Sequence, residues 1–419
     1  MKKFRILSLV MALALCFGLL AGCSNSSGDT GSGDSGSTNT GSSDSGSSDT
    51  GSAGGDTIKI GLLANTSGDN AMYGNAVKNG AMLYIDQVNA AGGINGKQIE
   101  VIAYDEKGDA TEAMNAFNRL VDDGVTAVIG SVLTAPTIAV ADLSYEINMP
   151  QITASATAAG VTMFNPEDES EGIRENVFRS CFIDPFQGEK MAEYAKEKLG
   201  ATSAAVIFKS GDDYSEGLKD AFVAKCEELG ITVTSAQGYA AGDVDFKAQM
   251  TAIASENPDV VFSPNYYEDD AMIVTQARDV GYTGTFLGGD GWGSVKDYAS
   301  AEDLEGSVYC SGYAPGSSDI VTQFESDYTA AYNEEVPNMF APLGYDAAMI
   351  LVAALEQAEE AGLTAGTDEY KQAVIDAMAA TEGLVGVTGT YAFDEFNNPI
   401  KDAAMIKLEG GQEVFTEMF

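Results

Sequence analysis

TIKIGLLA at 57–64, AMYGNAVKNGAMLYIDQVNAAGG at 71–93 and KQIEVIAY at 97–104 decide the fold of this chain. The first is a short apolar run that ends in loop residues, the mark of a buried strand. In the second, Ala76, Gly80, Leu83, Ile85 and Val88 recur at helical spacing and the pattern stops at Gly92-Gly93, where a helix can end. The third is again a strand. Strand, helix and strand joined by short connections begin a parallel sheet covered by helices.

The alternation continues outward. Helix is expected at 110–123, strand at 125–130, helix at 137–147 and strand at 151–153. After a less regular stretch at 154–175 it restarts, with strands at 177–182, 203–208, 231–236, 259–263 and 284–287. Helices at 187–199, 214–229, 246–255 and 269–280 separate them. A strand at 307–313 precedes helices at 320–332, 343–361 and 368–379, and short strands near 390–393, 403–408 and 413–419 close the chain. Two successive blocks of this kind predict an α/β fold of two doubly wound parallel-sheet lobes, with ligands at the carboxyl ends of the strands.

Composition narrows the function. With 419 residues, two lobes are more natural than one core. The formal charge of −41 repels phosphate backbones, which argues against nucleic acid as a partner. There is no histidine. Ser-His-Asp and Cys-His catalysis and His-ligated zinc are therefore excluded, while carboxylate and lysine chemistry are not. A surface hydrolase using Asp269 or Asp290 lacks any neighbouring acid/base partner motif. The expectation is a protein that is not an enzyme and holds no metal and no cofactor.

The amino terminus supplies a location. Lys2, Lys3 and Arg5 precede an apolar stretch at 6–20, then Ala21, Gly22 and Cys23. A basic start, a short apolar segment and small residues before a cut describe a secretory signal peptide, too short for a membrane-spanning helix with anchors. Leu20-Ala21-Gly22-Cys23 resembles the bacterial lipoprotein processing box, which implies that Cys23 becomes the lipidated first residue of the mature chain. Residues 24–56 are almost wholly Ser, Gly, Asp, Thr and Asn, a composition that cannot form a core and behaves as a coil of roughly 30 Å end to end. Residues 1–22 are thus read as signal peptide and 23–56 as lipidated cysteine and tether. Cys181, Cys226 and Cys310 allow at most one disulfide, Cys181–Cys310 if their strands are neighbours. The apolar patterning around each favours buried free thiols.

Several ordered stretches bear on identity: Met72-Tyr73-Gly74; Val128-Ile129-Gly130 before Thr134; Ile152 to Thr157; Asp213-Tyr214-Ser215-Glu216-Gly217; Gln276-Ala277-Arg278; and Phe286 to Trp292. In order and spacing they resemble the extracytoplasmic solute-binding proteins of the leucine/isoleucine/valine-binding type, components of ABC importers, over essentially all of 57–419. The resemblance implies a periplasmic binding protein-like fold of type I with a multi-crossing hinge. Crossings fall near 179–184, 309–315 and 386–393. The N-terminal lobe takes 57–180 plus 312–388, and the C-terminal lobe takes 181–311 plus 389–419.

It also implies roles. Thr134, Ser155 and Thr157 match donors that grip a ligand carboxylate. Asp290 matches the acidic residue that pairs with the ligand ammonium, where the best-known members carry glutamate, and Tyr266 matches a tyrosine that shares the task. Tyr73, Leu133, Tyr214, Trp292 and Tyr345 fall where the family lines its side-chain pocket, and Asp184 sits at a hinge or in the closed cleft. Small hydroxyl residues where strands meet helix starts make a natural anion cradle, although such residues more commonly just cap helices. The expected function is a lipid-anchored, monomeric receptor on the extracytoplasmic face of the membrane. It captures a free amino acid, branched-chain or otherwise apolar, and passes it to a permease with its ATPase. The alternative keeps the fold as a sensor, or as a receptor for an amide, short peptide or aromatic acid.

Overall fold

The computed structural model describes residues 57–419; the signal segment, Cys23 and the tether read at 1–56 lie outside the described residues. The first lobe is built from β1 (Ile58–Ala64), α1 (Ala71–Ala90), β2 (Ile99–Asp105), α2 (Ala110–Asp122), β3 (Val128–Ile129), α3 (Thr134–Glu146), β4 (Gln151–Thr153) and β5 (Val177–Arg179). Its five strands are all parallel, in the order β2-β1-β3-β4-β5. The second lobe follows with α4 (Asp184–Glu197), β6 (Ser203–Lys209), α5 (Asp213–Leu229), β7 (Thr232–Tyr239), α6 (Lys247–Glu256), β8 (Val260–Phe262), α7 (Tyr267–Asp279), β9 (Thr285–Gly288), α8 (Ala301–Leu304) and β10 (Val308–Ser311).

The chain then returns to the first lobe for α9 (Asp319–Tyr332), α10 (Phe340–Glu360) and α11 (Asp368–Ala379), with a small hairpin of β11 (Glu382–Val385) and β12 (Thr390–Ala392). It crosses again to end as β13 (Ala404–Glu409) and β14 (Gln412–Met418). The second sheet has the order β7-β6-β8-β9-β10-β13-β14. Its last two strands run antiparallel, a departure from the wholly parallel sheet expected. Gly410 and Gly411 (φ 58° and 80°) form the two-residue turn that joins them, where both positions need the left-handed region.

The strand expected at 177–182 ends at Arg179, because the chain leaves the sheet there to cross between lobes. Helix α4 begins at Asp184, three residues before the expected start, since Pro185 is tolerated in a first turn. Where the crossings meet, buried Asp346 accepts from the Val387 and Thr388 amides (2.8 Å each), and Lys401 donates to the Ser180 carbonyl (3.1 Å) and the Tyr391 hydroxyl (3.1 Å). These bonds join the first and third crossings.

Cys181, Cys226 and Cys310 are separate buried thiols, so no Cys181–Cys310 bridge forms. Burial pushes the Cys181 and Cys226 thiols up to about 12, which leaves them unreactive. No helix among the described residues is long and apolar enough to cross a membrane.

Helices α1 and α10 pack backbone against backbone. A Cβ on Gly80 would stand 1.8 Å from the Ala341 carbonyl oxygen, and one on Gly344 would stand 2.3 Å from the Val77 carbonyl oxygen. Since the obstacle is main chain, it cannot rotate away. Gly80→Ala is expected to lower the unfolding free energy by about 1–3 kcal/mol, read by urea denaturation. An unchanged midpoint would contradict this packing.

Candidate functional site

Between the lobes lies a narrow, half-open cavity of ≈ 20 Å³, lined by Tyr73, Val132, Leu133, Thr134, Ser155, Tyr214, Tyr266, Asp290, Gly291 and Phe340. That is room for about one water, so a larger guest requires the lobes to part or the lining side chains to move. Each wall follows from local sequence.

On the first lobe, β3 runs into Ser131, Val132 and Leu133, and α3 opens at Thr134. Leu133 at the N-cap has no side chain able to accept from the first amides. The helix therefore presents free N–H groups and the positive end of its dipole, and the Thr134 hydroxyl makes no hydrogen bond within the described residues. After β4, the Thr153 hydroxyl donates to the Ser131 carbonyl (2.7 Å) and accepts from the Ala156 amide (3.2 Å), folding the chain into a tight turn. Ser155 Oγ donates to the Val132 carbonyl (2.7 Å). Buried Arg179 holds the far side of this turn through the Ala156 and Ala158 carbonyls (2.9 and 3.0 Å).

On the second lobe, Gly288-Gly289-Asp290-Gly291-Trp292 follows β9. The glycines admit neighbours at close range. A Cβ on Gly288 would meet the Trp292 ring at 2.2 Å, and one on Gly291 would meet the Asn265 carbonyl oxygen at 2.2 Å and the Tyr214 hydroxyl at 2.7 Å. Tyr214 donates to Asp290 Oδ1 (2.8 Å) and accepts from the Gly291 amide (2.8 Å). Gln187 accepts from the Asp290 amide (2.9 Å). Burial pushes the Asp290 carboxyl up to about 6, with Tyr214 and Gln187 opposing. Tyr266 stacks on Tyr214 with ring centroids 5.1 Å apart.

Tyr73, on α1 of the first lobe, reaches across the cleft. Its hydroxyl donates to the Gly291 carbonyl (2.5 Å) and accepts from the Tyr267 amide (3.1 Å), both in the second lobe. Its ring packs on Tyr267 and Phe340 at 5.0 and 4.4 Å.

The cavity thus brings together Tyr73, Leu133, Thr134, Ser155, Tyr214, Tyr266 and Asp290. Three other expected residues lie elsewhere. Trp292 is wholly buried beneath Gly288, its indole N–H donating to the Ser263 carbonyl (2.8 Å), so it supports the Asp290 turn from behind. Tyr345 donates to Gln87 (2.8 Å) and lines a separate depression with Tyr84 and Phe324. Thr157 is not among the lining residues, and its buried hydroxyl has no partner among the described residues. Asp184 is near it, its amide bonded to the Thr157 carbonyl (3.0 Å) and both carboxylate oxygens without a donor among the described residues. Burial raises that carboxyl well above its ordinary value.

Val132, Gly291 and Phe340 were not expected in the lining. Phe340 opens α10 far along the chain, and nothing in its local pattern separates it from a core residue. A larger open groove between α9 and β10–β14 includes Glu325 and Glu413, but both carboxylates already have partners: Tyr313 (2.5 Å) for the first, Lys296 (2.7 Å) and Tyr309 (2.9 Å) for the second.

The family model described as "Periplasmic binding protein" matches residues 57–412. The Leu/Ile/Val-binding protein BraC3 of Rhizobium johnstonii is 30% identical over 86% of this chain and 94% of its own. The leucine-, isoleucine-, valine-, threonine- and alanine-binding protein of Pseudomonas aeruginosa is 30% identical over 81% and 86%. Among solved structures, the branched-chain amino acid transporter substrate-binding protein LivJ of Streptococcus pneumoniae, in complex with isoleucine, superposes with a TM-score of 0.78. It has 32% identity and covers 87% of this chain and 99% of its own.

The raised Asp290 carboxyl has a stability consequence. Its protonated form is favoured by the fold, so its contribution is complete below about pH 4 and is lost as pH rises through about 6. The unfolding free energy of the free protein minus that of Asp290→Asn should fall by up to about 3 kcal/mol between pH 4 and 7. A difference that stays flat with pH in urea denaturation would contradict a buried, unpaired Asp290.

Proposed function

This chain belongs to the periplasmic binding protein family, and on that premise we propose that it is the receptor of an ABC importer, closing on a free, apolar L-amino acid. The observation that carries the reading is polar opposition across one small cavity. The uncapped start of α3 with the Thr134 hydroxyl lies on one wall, and the buried Asp290 carboxylate lies on the other. A zwitterion satisfies both at once: its carboxylate goes to the helix start and its ammonium to Asp290. Tyr73, Leu133, Val132 and Phe340 make the rest of the lining apolar, which suits the branched-chain ligands carried in the relatives' names once the lobes part enough to admit one.

Binding and closure are then one event. The ligand touches both lobes and favours the state in which they meet, and the Tyr73 hydroxyl adds a direct bond across the same gap. Charge-assisted hydrogen bonds contribute roughly 1.5–3 kcal/mol each, so several of them reach micromolar affinity, about −8 kcal/mol, after the cost of closure. In this reading the protein works as a monomer and carries no catalytic group. The lobes divide near 180, 312 and 389. Cys23 carries lipid that holds the protein at the outer face of the membrane, and a permease with its ATPase receives the ligand.

Isothermal titration of the protein with L-isoleucine should show one site per chain with a micromolar Kd, lost in Asp290→Ala. Below pH 6 the affinity should fall about tenfold per pH unit as Asp290 takes up a proton. 3-Methylvalerate, the same side chain without the ammonium, should bind at least a hundredfold more weakly, roughly the worth of one charged hydrogen bond in a buried site. A folded protein that binds no amino acid, or that binds 3-methylvalerate undiminished in Asp290→Ala, would overturn the assignment.

A further inference from the structure

Behind the acid-end wall of the cavity sits a carboxyl group that is not itself part of the lining and has no ion partner among the described residues. Glu106, in the turn between β2 and α2, is fully buried. Its backbone is pinned by its amide to the Ala64 carbonyl (3.2 Å) and by its carbonyl to the Asp109 amide (3.0 Å). Oε2 accepts from the Ser131 hydroxyl (2.5 Å), and Oε1 has no donor among the described residues. Ser131 and Val132 lead directly into Leu133 and Thr134 at the start of α3. The other side of this two-residue link is held by the Thr153 and Ser155 hydroxyls, which donate to the Ser131 and Val132 carbonyls (2.7 Å each). The link is thus clamped between Glu106 and the turn that carries Ser155.

We propose that Glu106 is a positioning residue for ligand recognition: its uncharged carboxyl holds the Ser131–Val132 link so that the start of α3 meets the ligand's acid group, and its ionisation weakens that grip. This rests on the amino-acid reading above. The physical reason is charge. An ionised Glu106 sets a negative charge behind the helix end whose positive dipole receives the ligand carboxylate, and the two repel through a poorly screened interior. By reciprocity, a bound ligand carboxylate makes Glu106 hold its proton more tightly.

The surroundings of Glu106 agree. Burial pushes its carboxyl up to about 7, opposed by the Ser131 hydroxyl and the Val132 amide. The neighbouring charges, Asp105 at the end of β2 and Asp109 at the cap of α2, push it the same way as burial. No lysine or arginine among the described residues pairs with it, and Lys107 lines the outer groove beside Asp69 and Lys209. The group therefore changes charge near neutral pH, which gives ligand affinity an alkaline limb in addition to the acid limb set by Asp290.

The test is titration with L-isoleucine from pH 5 to 8.5, using buffers of low and high ionisation enthalpy to count protons. Wild-type affinity is expected to fall between pH 7 and 8.5, by up to about tenfold per pH unit, with net proton uptake on binding at pH 7.5. Glu106→Gln, uncharged and of the same shape, should bind within about twofold of wild type at pH 6.5, keep the acid limb and lose both the alkaline fall and the proton uptake. Ser131→Ala removes a donor that favours the ionised form, so it should move the alkaline limb to higher pH. It gives a second reading if the glutamine variant, checked by circular dichroism, fails to fold. A wild type that binds with flat affinity from pH 7 to 8.5, or a Glu106→Gln or Ser131→Ala protein that keeps the wild-type alkaline limb, overturns the proposal. A folded wild type that binds no amino acid overturns instead the reading on which it rests.

Discussion

A carboxylate removed from water must find a positive partner or give up its charge, and Asp290 stands at that choice. It is buried, with only Tyr214, Gln187 and nearby amides in support, and its carboxyl is pushed up to about 6 as a result. Across the same cavity the start of α3 has the complementary deficit, with free N–H groups and no capping side chain. Either end alone would be an ordinary local feature. Set opposite each other across a gap of ≈ 20 Å³, they are two complementary deficits that face one another.

Much of the second lobe serves to hold that carboxylate in place. The Gly288–Trp292 turn is glycine-rich because Tyr214, the Asn265 carbonyl and the Trp292 ring approach within distances no Cβ tolerates. Trp292 fills the space beneath and anchors through Ser263, while Tyr214 reads both the Asp290 side chain and the following amide. The glycines thus serve the protein's own close packing, and through it the orientation of one charged group.

The first lobe has a comparable support. Helices α1 and α10 touch main chain to main chain through Gly80 and Gly344, which fixes Tyr73 and Phe340 on the same side of the cleft. Tyr73 then bonds the opposite lobe at Gly291 and Tyr267. Away from the cleft, Asp346, Lys401, Thr388, Tyr391 and Ser180 knit two of the chain crossings with bonds that run along the hinge. Rigid lobes meeting across a narrow polar cavity are what a closing receptor requires.

Periodicity and small-residue punctuation in the sequence were enough for the strand and helix order, the two α/β blocks and the family likeness, because those depend on spacing along the chain. Thr134, Ser155, Asp290 and Tyr266 were marked by the family likeness and not by local pattern, which reads such residues as helix caps or turn residues. What only the tertiary structure decided was facing. Phe340 joins the cavity from a helix that begins some two hundred residues after Thr134, while Trp292, two positions from Asp290, turns inward to support it and Tyr345 turns to a different depression. Neither outcome leaves a trace in local pattern, since a buried aromatic at helical spacing reads alike whether it faces a core or a ligand. Glu106 is the clearest case. In sequence it is one acid among many, and its place behind the ligand loop follows from how β2 ends against the chain leading into α3, a long-range contact that spacing does not encode.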